Sequence, residues 1–128
     1  MPFDYTLISD RPFEETVEAV KRALLELGFG TLWELDVPSK LREKGVDFEG
    51  KARILEVCNP HRAKQALEHN MDVLYFLPCK VVVFEDQGQT KLGMVKPTAF
   101  MEMLQDEGLT NFALEVENTL KEALNRAV

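Results

Sequence analysis

The chain has 128 residues, which is enough for one compact domain and too few for two of ordinary size. It carries 15 basic and 22 acidic residues, for a formal net charge of −7, and 45% of its residues are hydrophobic. This composition excludes a disordered, collagen-like or membrane-spanning chain. The acidic balance also argues against nucleic-acid binding, which depends on basic residues. Because the first residues lack the pattern of a secretory signal, we expect a cytoplasmic protein.

The chain begins with a predicted strand and a predicted long helix. Residues 3–8 alternate between two faces, as the residues of a strand do. The hydrophobic residues that follow are spaced by three and four, which is typical of an amphipathic helix, and Gly28 suits its end. These hydrophobic residues are Phe13, Val17, Val20, Leu24 and Leu27.

A second strand is predicted over 31–36, where the spacing of hydrophobic residues returns to two. Trp33 alternates with acidic residues in this strand, and its large apolar area predicts a place in the core. Either Asp36 or Ser39 is suited to cap a short helix after the strand.

A third strand is predicted over 52–58 and leads directly into a helix. Asn59 is a favoured N-cap residue and Pro60 a favoured first helical residue, so the pair predicts a helix start. This helix should stop near Asn70.

The remaining predicted strands cover 73–77, 81–86 and 90–95. Their connections are too short for crossovers, which indicates antiparallel hairpins. A short helix is predicted from Pro97, and a long amphipathic helix follows Gly108.

Together these elements predict one domain, 1–128, of the α+β class, with an antiparallel sheet of about six strands and two long helices on one face. Residues 73–77 and 81–84 are hydrophobic at every position, although successive strand residues point to opposite faces of a sheet. Both faces of the sheet centre should therefore be covered. We expect the second cover to be another copy of the chain in a homodimer. The alternative is that loop 46–50 and the methionine-rich segment, the short helical piece after Pro97 that contains Met101 and Met103, cover that face within one chain.

Cys58 is the residue best placed to carry chemistry. It directly precedes Asn59 at the predicted helix start, where free amides and the helix dipole can lower the pKa of a thiol. Cys79 lies between two predicted central strands, and neighbouring strands would bring the two thiols towards disulfide range. The alternative is that both cysteines are small buried hydrophobic residues.

Carboxylates form a second candidate site. Glu34 and Asp36 share one face of their strand, and Glu56 shares a face of the next strand with Cys58. If these faces coincide, three carboxylates and a thiol line one side of the sheet, and one carboxylate pKa is raised. The alternative is that Asp36 caps a helix while Glu34 and Glu56 lie on a solvated face.

Neither a metal nor a cofactor is expected. Cys58 and His61 form a single close pair, whereas zinc sites normally show two such pairs. Phosphate-binding loops, the dinucleotide fingerprint and the Cys-x-x-Cys motif do not occur in the sequence.

Four segments form a recognisable set: Phe29-Gly30, Glu34-Leu35-Asp36-Val37, Cys58-Asn59-Pro60 and Leu77-Pro78-Cys79-Lys80. Together they resemble the domain-of-unknown-function 302 family, over nearly the whole chain. The resemblance implies an α+β fold like that of the TATA-binding protein, with a curved antiparallel sheet, and it implies homodimers. It implies neither DNA binding nor an activity, because function depends on sites rather than folds. It places both cysteines in family motifs.

The sequence alone does not assign an activity. We expect a homodimer, not an enzyme, that binds a small molecule or a partner in a sheet-lined cleft near Cys58 and Cys79. The alternative is a thiol-dependent redox enzyme or sensor, with Cys58 as nucleophile and Cys79 as resolving thiol. A third possibility is a pure interaction module. The candidate ligand-binding residues are Glu34, Asp36, Glu56 and Asn59.

Overall fold

The computed structural model describes residues 2–128 and contains one five-stranded antiparallel sheet. Its strands are β1 (Asp4–Ser9), β2 (Gly30–Asp36), β3 (Ala52–Cys58), β4 (Cys79–Asp86) and β5 (Gln89–Val95). They lie in the order β1-β5-β4-β3-β2, so β1 and β2 form the edges. The predicted α+β class with an antiparallel sheet is confirmed.

The helices begin where the sequence provides caps. The Asp36 side chain accepts a hydrogen bond from the Ser39 amide, and the Asn59 side chain accepts from the amides of His61 and Arg62. No helix within residues 2–128 is long and apolar enough to cross a membrane. The α-helices are α1 (Phe13–Glu26), α2 (Val37–Glu43), α3 (Pro60–His69), α4 (Pro97–Met101) and α5 (Thr110–Ala127).

The main core lies between the sheet and the long helices α1 and α5. Leu24 of α1, Leu55 of β3 and Leu120 of α5 are at most 1% exposed. Helix α1 buries the predicted stripe because its hydrophobic residues recur on one side. Both long helices therefore cover the same face of the sheet.

A second, smaller hydrophobic core lies beside the main one. It joins α3, α4, α5 and the 3₁₀ helix Met71–Phe76 through buried side chains. The methionine-rich segment contributes Met101 to this core, while Met103 is exposed. The members are Ala66, Val73, Met101, Leu109 and Ala113.

The predicted strand over 73–77 is wrong, because Met71–Phe76 forms a 3₁₀ helix instead. The side chain of Asn70 accepts a hydrogen bond from the Asp72 amide and starts this turn. A short hydrophobic run does not by itself distinguish a strand from a buried helical turn. The sheet consequently has five strands rather than six.

The other face of the sheet is left largely uncovered by residues 2–128, and we call it the open face. Trp33 lies there, 56% exposed, so its predicted place in the core is wrong. The cause is that β2 is an edge strand and Trp33 points away from α1. Loop 46–50 is exposed and the methionine-rich segment lies in the second core, so neither covers this face. The apolar members of the open face are Ile8, Trp33, Leu35, Ile54, Val82, Phe84 and Val95.

Candidate functional site

A small cavity of about 30 Å³ lies between the main core and the second core. One end of the sheet supplies Val57 and Cys79, and α4 and α5 supply Met101 and Val116. Apart from the two thiols, its only polar lining side chains within the described residues are Asn59 and Arg62. The lining residues are Phe29, Val57, Cys58, Asn59, Arg62, Ala63, Ala66, Val73, Leu77, Cys79, Pro97, Phe100, Met101, Phe112, Ala113 and Val116.

The structure brings Cys58 and Cys79 together at this cavity, and both thiols are free. Cys79 pairs across the sheet with Val57, the neighbour of Cys58, so the two cysteines lie on adjacent strand ends. Burial raises the pKa of Cys58. Burial, with smaller contributions from Cys58 and Glu56, raises the pKa of Cys79 from 9.0 to about 11. Both groups are therefore protonated thiols near neutral pH.

The expected lowering of the Cys58 pKa is wrong in direction. The expectation was that the first amides of α3 would stabilise the thiolate. Instead, the amides of His61 and Arg62 donate to the side chain of Asn59 at 3.1 and 3.2 Å. Asn59 thus acts as the N-cap and is also a lining residue of the cavity. The capping that starts the helix removes the donors that a thiolate would need.

Helix α4, which supplies part of the cavity wall, is held by a buried carboxylate. Glu117 of α5, 4% exposed, accepts hydrogen bonds from the Thr98 amide and hydroxyl at 3.1 and 2.7 Å. Burial raises the pKa of Glu117, but these bonds and Lys121 outweigh it, and the pKa lies below its ordinary value. The ionised carboxylate therefore fixes the start of α4 against α5.

Glu34 and Asp36 lie away from the cavity, on the helix-covered face of β2. Glu34 pairs with Lys21 at 2.8 Å and with Arg53 at 2.6 Å. The guanidinium of Arg53 also contacts Glu14 at 2.8 Å, and Asp36 lies 3.7 Å from it. Burial raises the pKa of Glu34, and its hydrogen bonds from Lys21 and Arg53 bring it below the ordinary value. These carboxylates are members of an ion-pair network around Arg53, and neither lines the cavity beside Cys58 and Cys79.

Glu56 lies on the open face, where Lys80 contacts it at 2.6 Å. In the antiparallel pairing, Glu34 is opposite Leu55, so it shares the face of Leu55 and not that of Glu56. The expected cluster of three carboxylates and a thiol consequently does not form. Among residues 2–128, no three His, Cys, Asp or Glu side chains are grouped so that they could hold a metal ion.

Comparison with known proteins identifies the family. The family described as "Domain of unknown function DUF302" matches residues 5–127. This chain belongs to the DUF302 family. The crystal structure of an uncharacterized conserved DUF302 protein from Bacillus stearothermophilus has a TM-score of 0.96 to it, with 43% identity over 100% of both chains. No curated protein matches the chain.

Membership in DUF302 confirms the resemblance seen in the sequence and adds no activity, because the family and its solved relative are described as of unknown function and uncharacterized. The sequence analysis missed Phe100, Met101 and Phe112, which close the cavity. Hydrophobic spacing marks such residues as core, but it does not indicate where a core leaves a gap.

The two thiols of the DUF302 chain are expected to react slowly in the folded protein. For Cys79, a rise in pKa from 9.0 to about 11 leaves about 100-fold fewer thiolates at neutral pH. Alkylation by iodoacetamide at neutral pH, with mass spectrometry of the peptides, should show Cys79 slower than in the urea-unfolded chain by at least about 100-fold. A native thiol that reacts faster than the unfolded chain would contradict this prediction.

Proposed function

We propose that this DUF302 protein binds a small, uncharged, apolar molecule in the cavity beside Cys58 and Cys79. The observation that carries the proposal is the cavity itself, an internal gap with a mainly hydrophobic wall and two unpaired thiols. Protein interiors are otherwise closely packed, and apolar gaps of this kind stay dry and accept apolar guests.

The polar groups of the wall support an uncharged ligand. The side-chain oxygen of Asn59 already accepts two amide hydrogen bonds, and Arg62 pairs with Glu115 at 2.9 Å. The rest of the wall is hydrocarbon apart from the two thiols, and a charged ligand would lose its hydration there, which is costly. The cavity holds about two water-sized molecules, and the flexible side chain of Met101 is the part of the wall best able to make room for a larger ligand.

Xenon is the appropriate probe, because it is a single apolar atom. We expect xenon pressure to shift the methyl NMR signals of Val57, Val73 and Val116 in a saturable way. Ala63→Leu should abolish these shifts by filling the cavity. The matched control is Ala99→Leu, which is also half-buried in a helix but does not line the cavity. The proposal fails if no lining methyl responds, or if Ala63→Leu binds xenon as the wild type does.

We also propose that the open face joins two copies of the chain into a homodimer. Ile54, Val82 and Phe84 lie half-buried at its centre, and burying each further would stabilise an assembly through the hydrophobic effect. Two ion pairs on this face are internal, Lys80–Glu56 at 2.6 Å and Lys91–Asp86 at 3.2 Å. These two pairs are neutral locally, so they oppose no unpaired charge to the same face of a second copy.

Light scattering at micromolar concentration is expected to give twice the mass of one chain. Val82→Glu should reduce this to the mass of one folded chain, because it places an unpaired charge at the centre of the contact. Leu25→Glu is the matched control, since Leu25 is 67% exposed on α1 and lies outside the open face. Circular dichroism checks that both variants are folded. A wild type with the mass of one chain would exclude the homodimer.

We infer a cytoplasmic binding protein with no catalytic step, and a fold related to that of the TATA-binding protein but without nucleic-acid binding. The net charge of −7 supports the last point. The raised thiol pKa values do not favour the redox alternative, because a nucleophilic cysteine requires a populated thiolate.

A further inference from the structure

We propose that residues 59–77, which we call the lid segment, open as one unit over the cavity beside Cys58 and Cys79. The segment comprises α3 and the 3₁₀ helix Met71–Phe76. The proposal rests on the proposed function for what enters the cavity, but the motion itself is a property of the chain alone.

The first argument is the way in which the lid segment leaves the sheet. It begins after Cys58 of β3 and ends before β4, and Val57 and Cys79 at the two strand ends face each other in the ladder. Both ends of the segment are therefore close together. Such an excursion is able to move about its two ends without changing the pairing of the strands that carry it.

The second argument is how the backbone of the lid segment is satisfied. At the ends of α3 and in the 3₁₀ helix, backbone hydrogen bonds join Ala63 to Asn59, Asn70 to Ala66, Val73 to Asn70 and Leu77 to Leu74. All of these bonds lie within the segment, so opening breaks none of them. A unit that keeps its own hydrogen bonds opens at lower free-energy cost than a strand of the sheet would.

The third argument is the separation of the two hydrophobic cores. Within the described residues, the main core contains no side chain from 59–77. The lid segment instead buries Ala66 and Val73 in the second core. Movement of the segment consequently leaves the packing of α1 and α5 against the sheet in place. It separates Ala66 and Val73 from the rest of the second core and uncovers the cavity that lies between the two cores.

A few side-chain contacts hold the lid segment closed at its rim. Arg62 pairs with Glu115 at 2.9 Å, and both side chains are substantially exposed. The rings of Phe76 and Phe100 stack with their centroids 5.0 Å apart. At the far end of α3, Asp106 contacts His69 at 3.1 Å and Asn70 at 3.0 Å. The exposed ion pair is weak by itself, so closure depends on these rim contacts together with the burial of Ala66 and Val73 in the second core.

Hydrogen exchange followed by mass spectrometry tests the proposal without a ligand. Glu115→Gln should speed exchange within 62–70 about 2-fold, since an exposed ion pair is lost. Phe76→Ala should speed it roughly 10-fold, since an aromatic stack is lost. The matched control is Glu122→Gln, which breaks an exposed pair with Arg126 on the same helix α5, outside the lid segment.

Alkylation of Cys79 in a Cys58→Ser background provides the second readout. The alkylation rate of Cys79 should rise about 2-fold with Glu115→Gln and roughly 10-fold with Phe76→Ala. Hydrogen exchange in α1 and β4 should not change. The proposal is overturned if 59–77 exchanges only together with the main core, or if its exchange rises while Cys79 stays protected. A lid segment that opens in a protein that binds no xenon would instead refute the proposed function and leave the lid standing.

Discussion

Leu24→Ala is expected to lower the free energy of unfolding by about 2–5 kcal/mol. Leu24 is 0% exposed and packs in the main core between α1, α5 and the sheet. The substitution removes buried hydrocarbon and leaves a cavity that the two helices are unable to close completely. Urea denaturation followed by circular dichroism measures the change, at one fixed protein concentration because a dimer would gain stability with concentration.

Leu25 provides the matched control, because it is the next residue of the same helix and is 67% exposed. Leu25→Ala makes the same chemical change and should alter the free energy of unfolding by no more than about 0.5 kcal/mol. Equal effects at the two positions would mean that α1 does not present the face described above.

Local signals in the sequence were sufficient for the elements that depend on their own residues. The hydrophobic spacing from Phe13 to Leu24 identified α1, because an amphipathic helix must turn one stripe towards the core. Asn59 and Pro60 identified the start of α3, because capping is a contact between neighbours in the chain. The alternation of strand residues gave β3 its correct bounds, 52–58.

Features that depend on contacts between distant segments of the chain could not be predicted from local sequence patterns. The parity of Glu34 and Glu56 was correct within each strand, but which faces coincide depends on the register of β2 against β3. The bulge between Thr31 and Trp33 changes that register locally. A hydrophobic run such as 73–77 is likewise ambiguous until its neighbours are known, and here they are α3 and the second core.

The candidate site combines both cases. Two short sequence motifs predicted that Cys58, Cys79 and Asn59 lie near one another. In the structure all three line one cavity. The protonation of the thiols was predicted incorrectly, because it depends on burial and on the hydrogen bonds of Asn59 rather than on position before a helix. A thiol next to a helix start has a lower pKa only where the first amides of the helix have no other hydrogen-bond acceptor.

Glu34→Gln is expected to lower the free energy of unfolding by about 1–3 kcal/mol at neutral pH, because it weakens the pairing of a largely buried guanidinium. The Arg53 side chain is only 13% exposed, and Glu34 accepts from it at 2.6 Å. Glutamine keeps the shape of the side chain but not its charge, so Lys21 also loses an ion pair. Urea denaturation of both proteins measures the difference.

The effect should depend on pH in a defined direction. The pKa of Glu34 is lower in the folded protein than its ordinary value of 4.5. Its contribution is therefore fully present above pH 4.5 and is lost as the pH falls through the folded pKa. The difference between wild type and Glu34→Gln should be constant from about pH 7 to pH 5 and should shrink at lower pH.

Glu43→Gln is the matched control, since Glu43 pairs with Lys40 at 3.4 Å and is 65% exposed. This substitution should change the free energy of unfolding by less than about 0.5 kcal/mol at any pH, because an exposed pair one turn apart on a helix contributes little. If Glu34→Gln behaves like Glu43→Gln, Arg53 is adequately paired by Glu14 and Asp36 alone. A difference that grows as the pH falls would require Glu34 to be protonated in the folded protein, which contradicts its ion pairs with Lys21 and Arg53.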